Sequence, residues 1–324
     1  MARNDLKDPN DPNPMYDLII IGAGPAGLTA SIYASRYKIN HVVVGEIPGG
    51  LISQAHNVCN FPTYQEISGF ELMEKMKNHT EGLGGQIMSM EKISKIKKEN
   101  DIFQLETESG KILEAKSVLL ATGTKYRKLG LEDEARLVGR GVAYCATCDA
   151  MFFKDKIVGV VGGGNSAMTA ALYLSEVAKK VYLIVRGDKL KGEMVWAENI
   201  SNNKKIEVLF ETNVLRLNGE NKLESIELNK EVAGNKNLAL DGFFIEIGTE
   251  PDTTLSDMLG VELDRGYIVV DSRQKTNIEG LWSAGDITTG SGLFRQVITA
   301  CSEGAVAVYD IFSYLEKKKE DNKE

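Results

Sequence analysis

A chain of 324 residues, 43% hydrophobic and 26% charged, is long enough for about two globular cores, because single cores rarely grow past ~250 residues. Its formal charge of -8 argues against nucleic acid or an anionic membrane as partner, since neither is attracted to a net acidic surface. No run approaches the ~18 apolar residues that cross a bilayer and no basic-then-apolar signal opens the chain, so a soluble cytoplasmic protein is expected.

Residues 1–14 combine three prolines with almost no apolar side chains, which predicts a loose tail, and Met15 offers an alternative translation start. Leu18 to Ile21 is an unbroken apolar run suited to a buried parallel strand. It feeds Gly22, Ala23, Gly24, Pro25, Ala26 and Gly27, then a helical stretch to about Tyr37. In such a GxGxxG turn the first glycine allows the tight bend, the second lets backbone approach a pyrophosphate, and the third lets helix and strand close up. The helix start attracts the anion. A second strand, His41 to Val44, delivers Glu46, 22 residues past Gly24, where a carboxylate accepts hydrogen bonds from an adenosine ribose.

Residues 91–116 alternate polar and apolar around a Ser109–Gly110 turn and predict a small antiparallel meander. A separate short strand, Val118 to Leu120, follows and ends in Ala121, Thr122 and Gly123. Next come Cys145, Ala146, Thr147, Cys148 and Asp149. Two cysteines at this spacing form either a redox-active disulfide or half of a structural zinc site, and the adjacent carboxyl is either a proton carrier or a helix cap. The other two cysteines, Cys59 and Cys301, read as small buried hydrophobes. No second CxxC or nearby histidine supplies further zinc ligands, since His41, His56 and His79 all fall far from CATC, and no metal is expected.

The pattern then repeats. Lys156 to Val161 predict a strand, Gly162, Gly163, Gly164, Asn165, Ser166 and Ala167 a second glycine turn, Met168 to Ser175 a helix, and Val181 to Val185 the next strand. Residues 205–240 predict another meander, and Phe243 to Ile247 end in Gly248 as the first half ended in Gly123. After Pro251 a polar region leads to Gly280–Asp286, then to a long helix over about Arg295 to Leu315, and Lys317 to Glu324 reads as a solvated, frayed end. The expected fold class is α/β: two Rossmann-like three-layer dinucleotide-binding domains with small antiparallel β-meanders, the second inserted in the first.

In order and spacing, GAGPAG, ATG, CATCD, GGGNSA and a late AGD followed by FRQVITA resemble the low-molecular-weight thioredoxin reductases, over nearly the whole chain after Met15. The resemblance implies an FAD-binding domain of residues 15–126 plus 252–324 and an inserted nicotinamide-nucleotide domain, 127–251, that carries the CxxC. It implies that Gly22, Gly24, Ala26, Gly27 and Glu46 follow the ADP half of FAD and that Asp286 takes the ribityl chain. Asn60, Thr122, Gly123, Gly285, Arg295, Gln296 and Val297 would complete the flavin site, while Gly162, Gly164, Asn165, Ser166, Ala167, Arg186 and Lys191 would hold NADPH. The implied activity passes hydride from a reduced nicotinamide to the flavin, then electrons to the Cys145–Cys148 disulfide, then to thioredoxin by exchange. In that scheme Cys148 faces the flavin, Cys145 attacks the partner and Asp149 moves protons. The family also implies a homodimer and a rotation of one domain against the other, with hinges near residues 124–130 and 249–253.

The sequence departs from the family pattern where the nicotinamide nucleotide is selected. NADPH-using members follow the second strand of this unit with HRR and another arginine four residues on, whereas this chain reads Val185, Arg186, Gly187, Asp188, Lys189, Leu190, Lys191, which removes one planar bidentate partner for a 2'-phosphate. Met168 and Thr169 replace a usual glutamate, and Leu51 a usual glutamine after Gly49 and Gly50. The alternatives are the same disulfide chemistry fed by NADH or ferredoxin, a flavin-dependent dithiol oxidase, or a flavoprotein sensor without turnover.

Overall fold

The computed structural model describes residues 15–232, 234–292 and 294–321, so the tail expected over 1–14 lies outside the described residues. The chain divides into two compact units, one running up to Lys125 and resuming at Pro251, the other Tyr126–Glu250. It passes between them at two short strands, Thr124–Tyr126 and Thr249–Pro251.

The first unit contains, in order, β1 (Met15–Ile21), α1 (Pro25–Arg36), β2 (His41–Gly45), α2 (Gly69–Gly82), β3 (Gln86–Ser89), β4 (Ile93–Glu99), β5 (Ile102–Thr107) and β6 (Ile112–Leu120). The sheet order is β3-β2-β1-β6-β5-β4, with Leu281–Ser283 also pairing β6. β1 lies parallel to β2 and β6, and β4, β5 and β6 form the antiparallel meander. The apolar run in β1 is explained by burial on both faces. Leu18 and Ile20 pack beneath α1 and the long helix Val297–Asp321, while Ile19 and Ile21 join Phe103, Leu105 and Ile268 on the other side. Each such fully buried aliphatic side chain contributes about 1.5–3 kcal/mol. α1 and the long helix approach closely because Gly304 has no side chain: a Cβ there would lie 2.2 Å from the Ala26 carbonyl oxygen.

Three local expectations change. The meander strand and the short strand expected at Val118 are one continuous β6, because polar Ser117 between them is buried with its hydroxyl donating to the Asp17 carbonyl at 2.6 Å. The charged run is helical through Asp321 rather than frayed from Lys317, since Lys318 reaches Glu279 at 3.0 Å and Asp101 at 3.3 Å and Lys319 pairs with Glu316 at 2.7 Å. Cys59 is exposed, not buried, because it follows Val58, which bridges to Ile67, into an irregular stretch, and Cys301 is half-buried.

The second unit repeats the plan. Its parallel sheet runs Ile206–Leu209, Lys180–Ile184, Ile157–Val161, Gly242–Ile245, Val142–Ala143. Helix Asn165–Val177 covers one face, against Val158, Val160 and Phe244. The antiparallel strands Val214–Asn218, Ser225–Val232 and Asn235–Ala239 cover the other, against Val161, Phe243 and Ile245. The expected 205–240 meander is thus shorter, since Ile206–Leu209 pairs in parallel with Lys180–Ile184. Among the described residues no helix is long and apolar enough to cross a membrane.

Candidate active site

The first glycine turn is built by packing. Gly22 has φ +118°, and a Cβ on it would lie 2.1 Å from the Ala121 carbonyl oxygen; one on Gly27 would lie 1.9 Å from the Gly22 carbonyl oxygen. Gly24 differs, because its missing side chain meets nothing closer than the Gly50 Cα at 3.9 Å. Gly24 is also the N-cap of α1, with Pro25 next and no side-chain cap, so the first amides of the helix are available to an anion. Ala26 is buried beside Gly285, and Glu46 follows β2 at the surface with Lys92 at 3.5 Å.

The C-terminal part of this unit converges on the same end of the sheet. Glu303 is buried and fixes the turn around Asp286: its carboxylate accepts from the Gly285 amide at 2.7 Å, the Thr288 hydroxyl at 2.9 Å and the Ser291 hydroxyl. Burial pushes the Asp286 carboxyl up to about 6, against the pull of Arg295 and with a smaller push from Glu303. The Arg295 guanidinium stacks 3.8 Å over the Tyr267 ring, and its buried Nε has no hydrogen-bond partner among the described residues. The Asn60 amide donates to Gln296 Oε1 at 2.9 Å, the Thr122 hydroxyl to the Asp252 carbonyl at 3.1 Å, Gly123 takes φ +67°, and Val297 opens the long helix. An open cradle at Gly24 and an orphaned buried N–H at Arg295 fit a bound FAD, which would supply both an anion and acceptors.

The second unit carries the sulfur chemistry. Cys145 and Cys148 are joined in a disulfide with Cα atoms 5.4 Å apart. Cys145 caps the short helix Ala146–Asp149, and the Cys148 amide donates to its Sγ at 3.1 Å. No group of three or more His, Cys, Asp or Glu that could hold a metal occurs among the described residues. The Asp149 side chain caps nothing at the following turn, Ala150–Phe153, and burial raises its carboxyl above the ordinary range. Tyr144, just before the disulfide, donates to Glu134, a buried carboxylate that also accepts the amides of Leu129 at 3.0 Å, Gly130 at 2.6 Å and Leu131 at 3.3 Å. Burial first, then Glu134, pushes the Tyr144 phenol up.

At the second glycine turn Gly162 has φ +145°, with its would-be Cβ 2.1 Å from the Glu246 carbonyl oxygen and 2.8 Å from the methyl of Ala167. A Cβ on Gly164 would meet the Lys191 carbonyl oxygen at 3.6 Å. The loop after Val185 folds back here: the Lys191 amide donates to the Gly163 carbonyl at 2.6 Å, the Glu193 amide to Asn165 Oδ1 at 2.8 Å, and Asn165 Nδ2 to Glu193 Oε1 at 3.3 Å. Arg186 and Lys191 are exposed, and the Ser166 carbonyl accepts the Thr169 hydroxyl at 3.1 Å. Burial pushes the Glu246 carboxyl up to about 8.

The sequence reading did not single out Glu303, Glu134, Tyr144 or Glu246. The available signal was an acidic residue inside an apolar element, as in the FFIEIG and SEGAVAV stretches.

Two dinucleotide-binding units with a CxxC disulfide on one of them define a disulfide oxidoreductase. A family model described as pyridine nucleotide-disulphide oxidoreductase matches residues 16–304. The chain belongs to that family. It is 40% identical over 305 residues to a thioredoxin reductase of Treponema pallidum, covering 93% of this chain and 97% of the relative. It is similar to the crystal structure of Lactococcus lactis thioredoxin reductase, with TM-score 0.88, 32% identity and coverage of 93% and 99%. A ferredoxin-flavin thioredoxin reductase from Clostridium acetobutylicum is also similar, with 32% identity, coverage of 94% and 99% and TM-score 0.52.

Proposed function

We propose that this chain is a thioredoxin reductase-like flavoprotein that passes electrons from a reduced donor, NADPH in the first reading, through FAD to the Cys145–Cys148 disulfide and on to thioredoxin or a similar protein disulfide. The observation that carries the reading is a CxxC disulfide at a helix start in a chain that also holds an open dinucleotide cradle. FAD, when bound, supplies two-electron chemistry, and a nicotinamide nucleotide supplies hydride.

The chain's own residues do the rest. Residues 15–126 plus 252–324 would hold the flavin nucleotide, with α1 facing the pyrophosphate, Asp286 accepting from the ribityl hydroxyls, and Arg295 donating from its buried edge. Residues 127–251 would carry the disulfide and the nicotinamide nucleotide. Once the disulfide is opened, the Cys148 amide, already aimed at Cys145 Sγ, favours the thiolate there. That thiolate attacks the partner's disulfide, and Cys148 then attacks Cys145 to release the reduced partner and restore the ring. Asp149, whose carboxyl keeps its proton to a higher pH than usual, returns a proton to the departing thiolate. The Tyr144–Glu134 bond holds the backbone that leads into Cys145. Rotation about 124–130 and 249–253, a homodimer and a cytoplasmic setting belong to the same reading.

A thinned cation set favours a second reading, in which NADH or ferredoxin is the donor or a dithiol feeds a flavin-dependent oxidase. Arg186 and Lys191 remain, and Gly187 stands where a second guanidinium is expected. Anaerobic addition of NADPH, NADH, reduced ferredoxin or a dithiol to the FAD-loaded protein, followed by flavin absorbance, tests both. Bleaching by NADPH with reduction of thioredoxin supports the first reading. Bleaching only by ferredoxin or only by the dithiol moves the assignment, and bleaching by none overturns both.

A further inference from the structure

The backbones of the two glycine turns repeat each other down to the strand that faces them, and the facing strands differ in the side chain they bring there. A Cβ on Gly22 would lie 2.1 Å from the carbonyl oxygen of Ala121, and one on Gly162 would lie 2.1 Å from that of Glu246. The Ala121 amide donates to the Ile21 carbonyl at 2.7 Å, and the Glu246 amide to the Val161 carbonyl at 2.9 Å. Two residues on, each strand end reaches a glycine of positive φ, Gly123 at +67° and Gly248 at +92°. Glu246 therefore stands where the first unit has a methyl group.

The place matters because dinucleotides in doubly wound sheets lie outside the carboxyl ends of the strands, against the glycine turn. Ala121 packs with Ala23 and Ala26 on the α1 side of its sheet. Alternation along Gly242–Ile245 puts Glu246 on the same side as Phe244, which packs with Ala167 and Met168 of helix Asn165–Val177. Glu246 is only partly buried, so it borders the open end of the sheet, and it stands close enough to Tyr126 to help push that phenol up to about 12.

We propose that Glu246 is a specificity-determining residue of the second unit: its carboxyl takes up the room that Ala121 leaves free in the first, and so holds down the affinity for a pyridine dinucleotide. This rests on reading the second unit as the nicotinamide-nucleotide domain. Both the volume of the side chain and, when ionised, its charge oppose a pyrophosphate in a water-poor site.

The test uses FAD-loaded wild type, Glu246→Ala and Glu246→Gln, with NADPH and NADH binding measured by calorimetry. FAD content and the thiols released by dithiothreitol report folding. Glu246→Ala is expected to tighten at least one nucleotide by about tenfold, with a smaller gain for Glu246→Gln, which keeps the volume. Binding by Glu246→Ala within about twofold of wild type for both nucleotides overturns the proposal and leaves the reading of the domain standing. No binding of either nucleotide by wild type or variant overturns both. If Glu246→Ala does not retain FAD, Glu246→Ser, which also removes the volume, decides by the same criterion.

Discussion

The two nucleotide-binding units share a strand, a glycine turn, a helix start and a facing strand, yet they treat the space in front of the turn in opposite ways. In the first, a Cβ on Gly24 would meet only the Gly50 Cα at 3.9 Å and the Gly49 carbonyl oxygen at 4.0 Å, Ala121 presents a methyl, and Arg295 keeps a buried N–H without a partner among the described residues. In the second, Gly164 looks onto the Lys191 carbonyl, Asn165 is engaged by Glu193, and Glu246 presents a carboxyl. One backbone plan can therefore carry different surroundings in front of the same turn, because the side chains at the strand ends are set independently of the glycines.

That contrast can be broken in four places. Cys148→Ser removes the chemistry that only the second unit carries and leaves both turns intact, so thioredoxin-linked disulfide reduction should fall to background while FAD content stays at the wild-type level. A variant with substantial turnover would place the chemistry elsewhere. Ala121→Glu gives the first mouth the side chain of the second. An uncompensated buried carboxylate costs roughly 3–5 kcal/mol, so FAD should bind at least about 100-fold more weakly, as read from flavin released on dilution. Wild-type retention would show that the position does not face the ligand.

Arg295→Met removes the cation that distinguishes the first site. Charge-assisted hydrogen bonds contribute about 1.5–3 kcal/mol, so flavin affinity should drop by about tenfold or more in the same assay. The fourth place concerns stability rather than affinity. Because burial raises the Glu246 carboxyl to about 8 from its ordinary 4.5, the folded protein holds a proton there that the unfolded chain has lost between those pH values. Its contribution to stability therefore declines as pH rises through that window and is level above it. Glu246→Gln should gain melting temperature relative to wild type progressively from about pH 5 to about pH 8 and no further. A difference independent of pH would mean that the carboxyl is not held protonated.

Much of the site was legible in the sequence. The glycine turns and the CxxC are local patterns, and their backbone demands appear as Gly22 at +118° and Gly162 at +145° and as a disulfide that spans three positions. Less legible were elements whose character depends on distant neighbours. Ser117 interrupts the apolar pattern, yet it lies within one continuous strand with its hydroxyl donating to the Asp17 carbonyl, and Ile206–Leu209 reads as part of a meander, yet it pairs in parallel with Lys180–Ile184. Glu303 lay unnoticed in an apolar helix because the amide it accepts belongs to Gly285.

By itself the sequence determined that the chain has two dinucleotide-binding units, where each turn lies and which two cysteines stand near enough to join, since strand periodicity, glycine spacing and CxxC spacing all act within a few residues. Only the tertiary structure decided what stands opposite each turn. Residue 121 faces Gly22 and residue 246 faces Gly162 because parallel strands bring together positions far apart in the chain, and no local period records which side chain arrives there.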